Sequence, residues 1–178
     1  MAKDLLGTYF NYLFPEPQYL GAKYIHRGWI SQYIPEDTET VLDAFSGSQS
    51  IAFMMKQLGK KTLTNDFLNF NYLIGKALVE NSKETINPDD VSVLFSANSN
   101  PAEYNLMEKL FSCLFFTDDE CQFIDAFRSN VHRLGNPYKS AMALAMMCRS
   151  LTRKVTMGHF AHTQALFGLF PEKDLKID

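Results

Sequence analysis

Residues 40–82 constrain this chain most, because two short apolar runs alternate there with two helical patterns. "TVLDAF" is β-branched, apolar and bounded by turns, and "QSIAFMMKQL" has helical spacing and stops at Gly59. "KTLTNDF" then reads as a second strand and "LNFNYLIGKALVENS" as a second helix. A β-α-β-α order at this length predicts parallel strands joined by right-handed crossovers, which places the region in the α/β class.

The turn from Phe45 to Gln49 follows the first strand and opens the first helix. A glycine in such a turn lets backbone N–H groups approach an anionic ligand, and the helix N-terminus adds its positive dipole. An acid at the end of the next strand, here Asp66, accepts hydrogen bonds from both hydroxyls of a ribose. The pattern therefore suits a ribonucleoside with an anionic or polar tail. The dinucleotide fingerprint G-x-G-x-x-G is absent, since Gly47 is the sole glycine of the turn, and no G-K-S/T follows as in a phosphate-binding loop.

Outside this block the chain reads as mostly helical. Residues 3–14 set Leu5, Leu6, Tyr9, Phe10 and Leu13 at helical spacing before Pro15. "IHRGWISQYIP" looks helical until Pro35, and the character changes after Ser82 to a long polar loop with one short element. Thr117 and Glu120 form a capping box that opens a helix to Leu134, "GNPYK" breaks it, and a further helix runs on from Lys139. "GHFAHTQALFGLF" is strand or turn.

Composition narrows the function classes. No run approaches about 20 apolar residues, so no membrane span is expected, and Asp4 spoils the N-terminus as a signal peptide. Cys113, Cys121 and Cys148 lack metal spacing, which suits free buried thiols in a reducing cytoplasm. Cys148 sits on the apolar face of its helix and is a poor nucleophile. His159 and His162 have no third ligand nearby, so no metal site is expected. The net charge is −3, yet residues 121–160 hold a balance of +5. That block reads either as a phosphate-facing surface carrying Lys139, Arg149, Arg153 and Lys154 or as a solvated helix face.

D-x-F-x-G-x-G after a strand is the turn associated with S-adenosylmethionine. Asp43, Phe45 and Gly47 match it, and Gln49 stands in place of the last glycine. A Tyr-x-Gly-x-Lys segment precedes it at Tyr19, Gly21 and Lys23, and an Asn-Asp pair follows at Asn65 and Asp66. "NPYKSAMALAMMCRSLTRKVTMGHF" adds a later helical segment. Over residues 19–160 these blocks resemble the N-terminal part of the DNA adenine methylase family. The resemblance implies a partial Rossmann-like S-adenosylmethionine-dependent methyltransferase fold, α/β, with a mostly helical C-terminal extension. It divides the chain into an N-terminal helix in 1–18, a cofactor-binding region in 19–116 and a helical region in 117–178 that leads toward target recognition.

The same resemblance implies site roles. Tyr19, Gly21 and Lys23 border the methionine end of S-adenosylmethionine, with Lys23 near its carboxylate. Asp43, Phe45, Ser46, Gly47 and Ser48 form the floor of the pocket, Asp66 holds the ribose, and Phe67 lies against the cofactor adenine. Plainer readings stand beside these: Lys23 as a surface lysine, Phe67 as a core aromatic and Asp66 as a helix cap. Gln49 either crowds the ligand or supplies a polar contact.

The family's Asp/Asn-Pro-Pro-Tyr/Phe motif directs the target amine and stacks on the flipped-out adenine. Asn136-Pro137-Tyr138 lacks the second proline and precedes a helix, so it reads as a turn, and no catalytic residue is assigned. The expectation is the cofactor-binding portion of a DNA adenine methyltransferase, truncated or split and inactive alone. Its partners would be double-stranded DNA together with the missing catalytic half, and a second chain or self-association. Two other readings are an intact methyltransferase with a different substrate and a non-catalytic DNA-contacting or interaction module.

Overall fold

In the computed structural model, which describes residues 21–154 other than Cys113 and Phe115, the chain divides between Ser82 and Lys83 into two compact units. The helix expected over residues 3–14, the segment beyond Thr156, and Tyr19, Cys113, His159 and His162 lie outside the described residues.

The first unit is α/β. β1 (Thr40–Asp43) and β2 (Lys61–Thr64) pair in parallel, with Val41 opposite Thr62 and Leu42 opposite Leu63. Between them runs α2 (Ser50–Gln57), and α1 (Arg27–Ser31), entered through a 3₁₀ turn at Tyr24–His26, packs against α2. Ala52, Met54 and Met55 of α2 are buried, and each methionine buried this way contributes about 1.5–3 kcal/mol. The helix closes at left-handed Gly59 (φ 76°). Gly59 N–H returns to Lys56 O and Lys60 N–H to Met55 O, both at 3.0 Å, the hydrogen-bond pattern of a Schellman cap. That stop turns the chain directly into β2.

Period-two alternation gives the small sheet two unlike faces. Leu42 and Leu63 are 64% and 50% exposed, on the side away from the half-buried Val41, Asp43, Thr62 and Thr64. β2 is shorter than its sequence suggests: Asn65 N–H gives the last rung to Asp43 O (3.0 Å), and the side chains of Asn65 and Asp66 bind the turn after β1. The second helix also departs from expectation. It is α-helical only as α3 (Asn69–Ile74) and continues as a π-helix over Gly75–Glu80.

The second unit is helical: α4 (Pro88–Leu94), α5 (Leu106–Phe111), α6 (Asp118–Val131), a 3₁₀ turn His132–Leu134 and α7 (Pro137–Lys154). Thr117 and Glu120 close the expected capping box of α6, with three acidic residues in its first turn. Asn87 and Asp90 form a second box on α4. Leu94, Cys121, Ile124, Phe127, Val131, Ala143 and Met147 make the core.

The inner face of α6 is also polar, and its polar groups hold the Asn-rich loop. Buried Asp125 accepts the N–H groups of Met107 (3.1 Å) and Glu108 (3.0 Å), and so caps α5 from another helix. Buried Asn130 donates to Ser96 O (2.8 Å) and Ala97 O (3.2 Å). Gly135 (φ 63°) ends the 3₁₀ turn, and Asn136 Oδ1 accepts the N–H groups of Tyr138 (2.9 Å) and Lys139 (3.2 Å). Asn136-Pro137-Tyr138 is thus a helix cap with proline in the first helical position, and α7 starts two residues earlier than its sequence pattern suggested.

Candidate functional site

At the carboxyl ends of β1 and β2 two turns are tied together by side chains. Ser46 N–H donates to Asn65 O (3.0 Å), and Asn65 Nδ2 donates to Ala44 O (3.0 Å). Asp66 spans the gap: Oδ2 accepts Gly47 N–H (2.7 Å), while Oδ1 accepts Leu68 N–H (3.0 Å) and Asn71 Nδ2 (2.9 Å). The Leu68 contact is an Asx turn that leads into α3. Asp66 therefore orders its own helix entry and also reaches the glycine turn. Gly47 holds a positive φ of 49°, which a side chain would strain.

Gln49 also lies at positive φ (65°), a conformation that costs a non-glycine residue about 1–2 kcal/mol. Its side chain turns inward and is 1% exposed, so it does not project over the turn. Nε2 donates to Ser46 Oγ (2.7 Å) and to Asn71 O (3.0 Å). Gly75 makes the space: a Cβ there would approach the Gln49 amide to 3.1 Å. Sequence reasoning missed Asn71. Its signal was a polar residue on the buried phase of an otherwise apolar helix.

Phe45 and Phe67 are 90% and 97% exposed, so Phe67 is not a core aromatic. Ser46 and Ser48 are buried in the turn. Lys23 donates to Gly21 O (2.6 Å), closing a small loop around Gly21 (φ 80°).

The two carboxylates of the site differ. Burial pushes the Asp43 carboxyl above its ordinary value of 3.8, N–H donation from Ala52 and Phe45 opposes this, and the Asp66 charge adds to the rise. Asp43 ionisation therefore weighs against the fold once the pH rises above 3.8, and that cost vanishes on acidification. For Asp66 burial also acts upward, but donation from Leu68, Asn71, Gly47 and Phe67 outweighs it and leaves the group below 3.8. Its contribution to stability is complete above 3.8 and is lost as pH falls through the lower folded value.

The sequence model of D12 class N6 adenine-specific DNA methyltransferases matches residues 19–176. This chain belongs to that family. It is also 38% identical over 150 residues to the type II methyltransferase M2.HphI of Haemophilus parahaemolyticus. That match covers 84% of this chain and 44% of the relative, so the chain spans less than half of the relative's length. No solved structure matches the chain.

In this D12-family chain the basic block of the second unit is partly neutralised. Lys139 pairs with Asp90 at 2.6 Å, and Lys154 pairs with Glu120. Burial and the neighbouring charge of Arg153 both lower the Arg149 guanidinium, and Arg153 itself is exposed. Cys121 is buried, and burial pushes the Cys148 thiol up against the opposing pull of Arg128, which disfavours the nucleophilic thiolate. Among the described residues no group of three or more His, Cys, Asp or Glu is placed to hold a metal ion, and no helix is long and apolar enough to cross a membrane.

Proposed function

We propose that residues 19–82 form the S-adenosylmethionine-binding portion of a DNA adenine methyltransferase, built as part of a Rossmann-like sheet. The observation that carries this reading is the Asp66 carboxylate held against Gly47 N–H at the carboxyl ends of two parallel strands. The carboxyl ends of the strands are where open α/β sheets bind nucleotides.

The groups present suit this cofactor. Asp66 receives Gly47 N–H on Oδ2 and Leu68 N–H and Asn71 Nδ2 on Oδ1, with Phe67 N–H also acting on the carboxylate, and a ribose hydroxyl would share Oδ2 with Gly47 N–H. The exposed rings of Phe45 and Phe67 offer stacking faces for an adenine, with Phe67 assigned to that contact. Asp43, Ser46, Gly47 and Ser48 form the floor. Lys23, released from Gly21 O, neutralises the methionine carboxylate beside Tyr19 and Gly21. When bound, S-adenosylmethionine supplies an electrophilic methyl group. The acceptor is the exocyclic amine of adenine in double-stranded DNA. On the DNA side, Lys139, Arg149, Arg153 and Lys154 are the assigned contacts, and the charges of Lys139 and Lys154 are met by Asp90 and Glu120 in the free chain.

The catalytic Asp/Asn-Pro-Pro-Tyr/Phe segment is assigned to polypeptide outside these 178 residues, as a continuation or a second subunit. Its absence from the sequence and the open Leu42–Leu63 face of a two-stranded sheet support this. Parallel sheets are ordinarily covered on both faces. The enzyme would act in the cytoplasm, where Cys121 and Cys148 stay reduced. The test mixes the purified chain with a separate polypeptide carrying the family's Asp-Pro-Pro-Tyr segment and follows labelled methyl transfer into duplex DNA. Activity in the mixture but in neither part alone is expected. Adenine methylation by the chain alone, or an inert mixture whose parts do not associate, would overturn the division of labour.

A further inference from the structure

Gln49 occupies the position where the cofactor turn pattern has its second glycine, yet it keeps the left-handed backbone that a glycine would supply. Its buried amide adds a second tie between two elements that Asp66 also joins. One arm reaches Ser46 Oγ in the turn and the other reaches Asn71 O in α3. Asn71 Nδ2 binds Asp66 Oδ1, and Asp66 Oδ2 binds Gly47 N–H, which returns to the turn. The contacts close a ring through Ser46, Gln49, Asn71, Asp66 and Gly47. Gln49, Asn71 and Ser46 are all buried. The helix changes to π geometry at Gly75, where the Gln49 amide lies against the bare Cα.

We propose that Gln49 is a positioning residue of the cofactor site. Through Ser46 and Asn71 it holds the glycine turn and the Asp66 carboxylate at fixed separation, and Gly75 is the space that admits it. This rests on the reading of the site as an S-adenosylmethionine pocket. A glycine at position 49 would relax the backbone but remove this tie between the turn and α3, leaving the one through Asp66. Gln49 trades backbone ease for a cross-brace, so the ligand does not have to order the turn on binding.

The test compares the parent with Gly75→Ala, Gln49→Gly and the double variant. Asp66 titration is followed in the ligand-free chain by carboxyl carbon resonance, and S-adenosylmethionine affinity by calorimetry. With Gln49 present, the alanine methyl displaces the amide. The Asp66 midpoint then moves up toward 3.8, and affinity falls about tenfold, a coupling typical of residues in direct contact. In the Gln49→Gly background the same alanine moves neither quantity. Equal effects in both backgrounds, or an unmoved Asp66 midpoint with Gln49 present, would overturn the brace. If Gly75→Ala does not fold, Gln49→Ala takes its place with the same expected shifts, and an unmoved Asp66 midpoint there overturns the proposal. A parent that binds no S-adenosylmethionine sinks the cofactor reading itself, an outcome the ligand-free titration keeps separate from failure of the brace.

Discussion

Replacing Asp66 by alanine is expected to reduce S-adenosylmethionine affinity by roughly 10- to 100-fold, because a hydrogen bond to a charged acceptor contributes about 1.5–3 kcal/mol. The same change strips an acceptor from Gly47 N–H, Leu68 N–H and Asn71 Nδ2. It should therefore lower stability by about 1–3 kcal/mol as well, and a binding loss alone would be ambiguous. Asp66→Asn separates the two effects. Its one carbonyl oxygen still serves Leu68 and Asn71, while its amide group faces Gly47 N–H in place of an acceptor. Because the amide leaves Gly47 N–H unmet, the thermal midpoint should fall, but by less than in Asp66→Ala, while affinity drops at least tenfold. An Asp66→Asn chain that binds like the parent would remove the ribose assignment.

The largest stability effect belongs to the second unit. Phe127 is 1% exposed and meets the ring of Phe95 edge-on at 6.1 Å and that of Phe123 at 6.2 Å. Phe127→Ala should cost about 3–5 kcal/mol, the range for truncating a fully buried aromatic residue. That is a large share of the roughly 5–15 kcal/mol that holds a domain folded. Urea titration monitored by helical circular dichroism should show the midpoint drop or the transition disappear. Leu110→Ala, at an exposed position of α5, should stay within about 0.5 kcal/mol of the parent. Similar midpoints for the two variants would mean that the cluster around Phe127 is not the core of this unit.

What could be read from the sequence depended on how local each cause was. The β-α-β-α order, the stop at Gly59 and the capping box at Thr117 are written within a few residues of where they act, and the structure has all of them. α5 was unreadable because it has no side-chain cap of its own. Its free N–H groups are met by Asp125 of α6, a partner no local window contains. The direction of Gln49 was undecidable for the same reason, since it turns inward only because Gly75 leaves room. The π geometry over Gly75–Glu80 follows an apolar pattern that reads equally well as α-helix. The basic block was visible as charge, but its neutralisation by Asp90 and Glu120 depends on how the helices pack.

Asp66 shows how a plain and a functional reading of one residue coexist. It makes the Asx turn that begins α3, and with its other oxygen it fixes the turn after β1. The plain role accounts for the helix entry but not for the contact with Gly47. That contact places the carboxylate at the carboxyl end of the sheet, where Phe45 and Phe67 are exposed.

The most direct measurement is a calorimetric titration of the purified chain with S-adenosylmethionine, repeated with S-adenosylhomocysteine. Saturable binding of both ligands at one site per chain is the expected result, with Gln49 in place. Absence of binding to either ligand, by a chain that circular dichroism shows to be folded, would contradict the cofactor pocket.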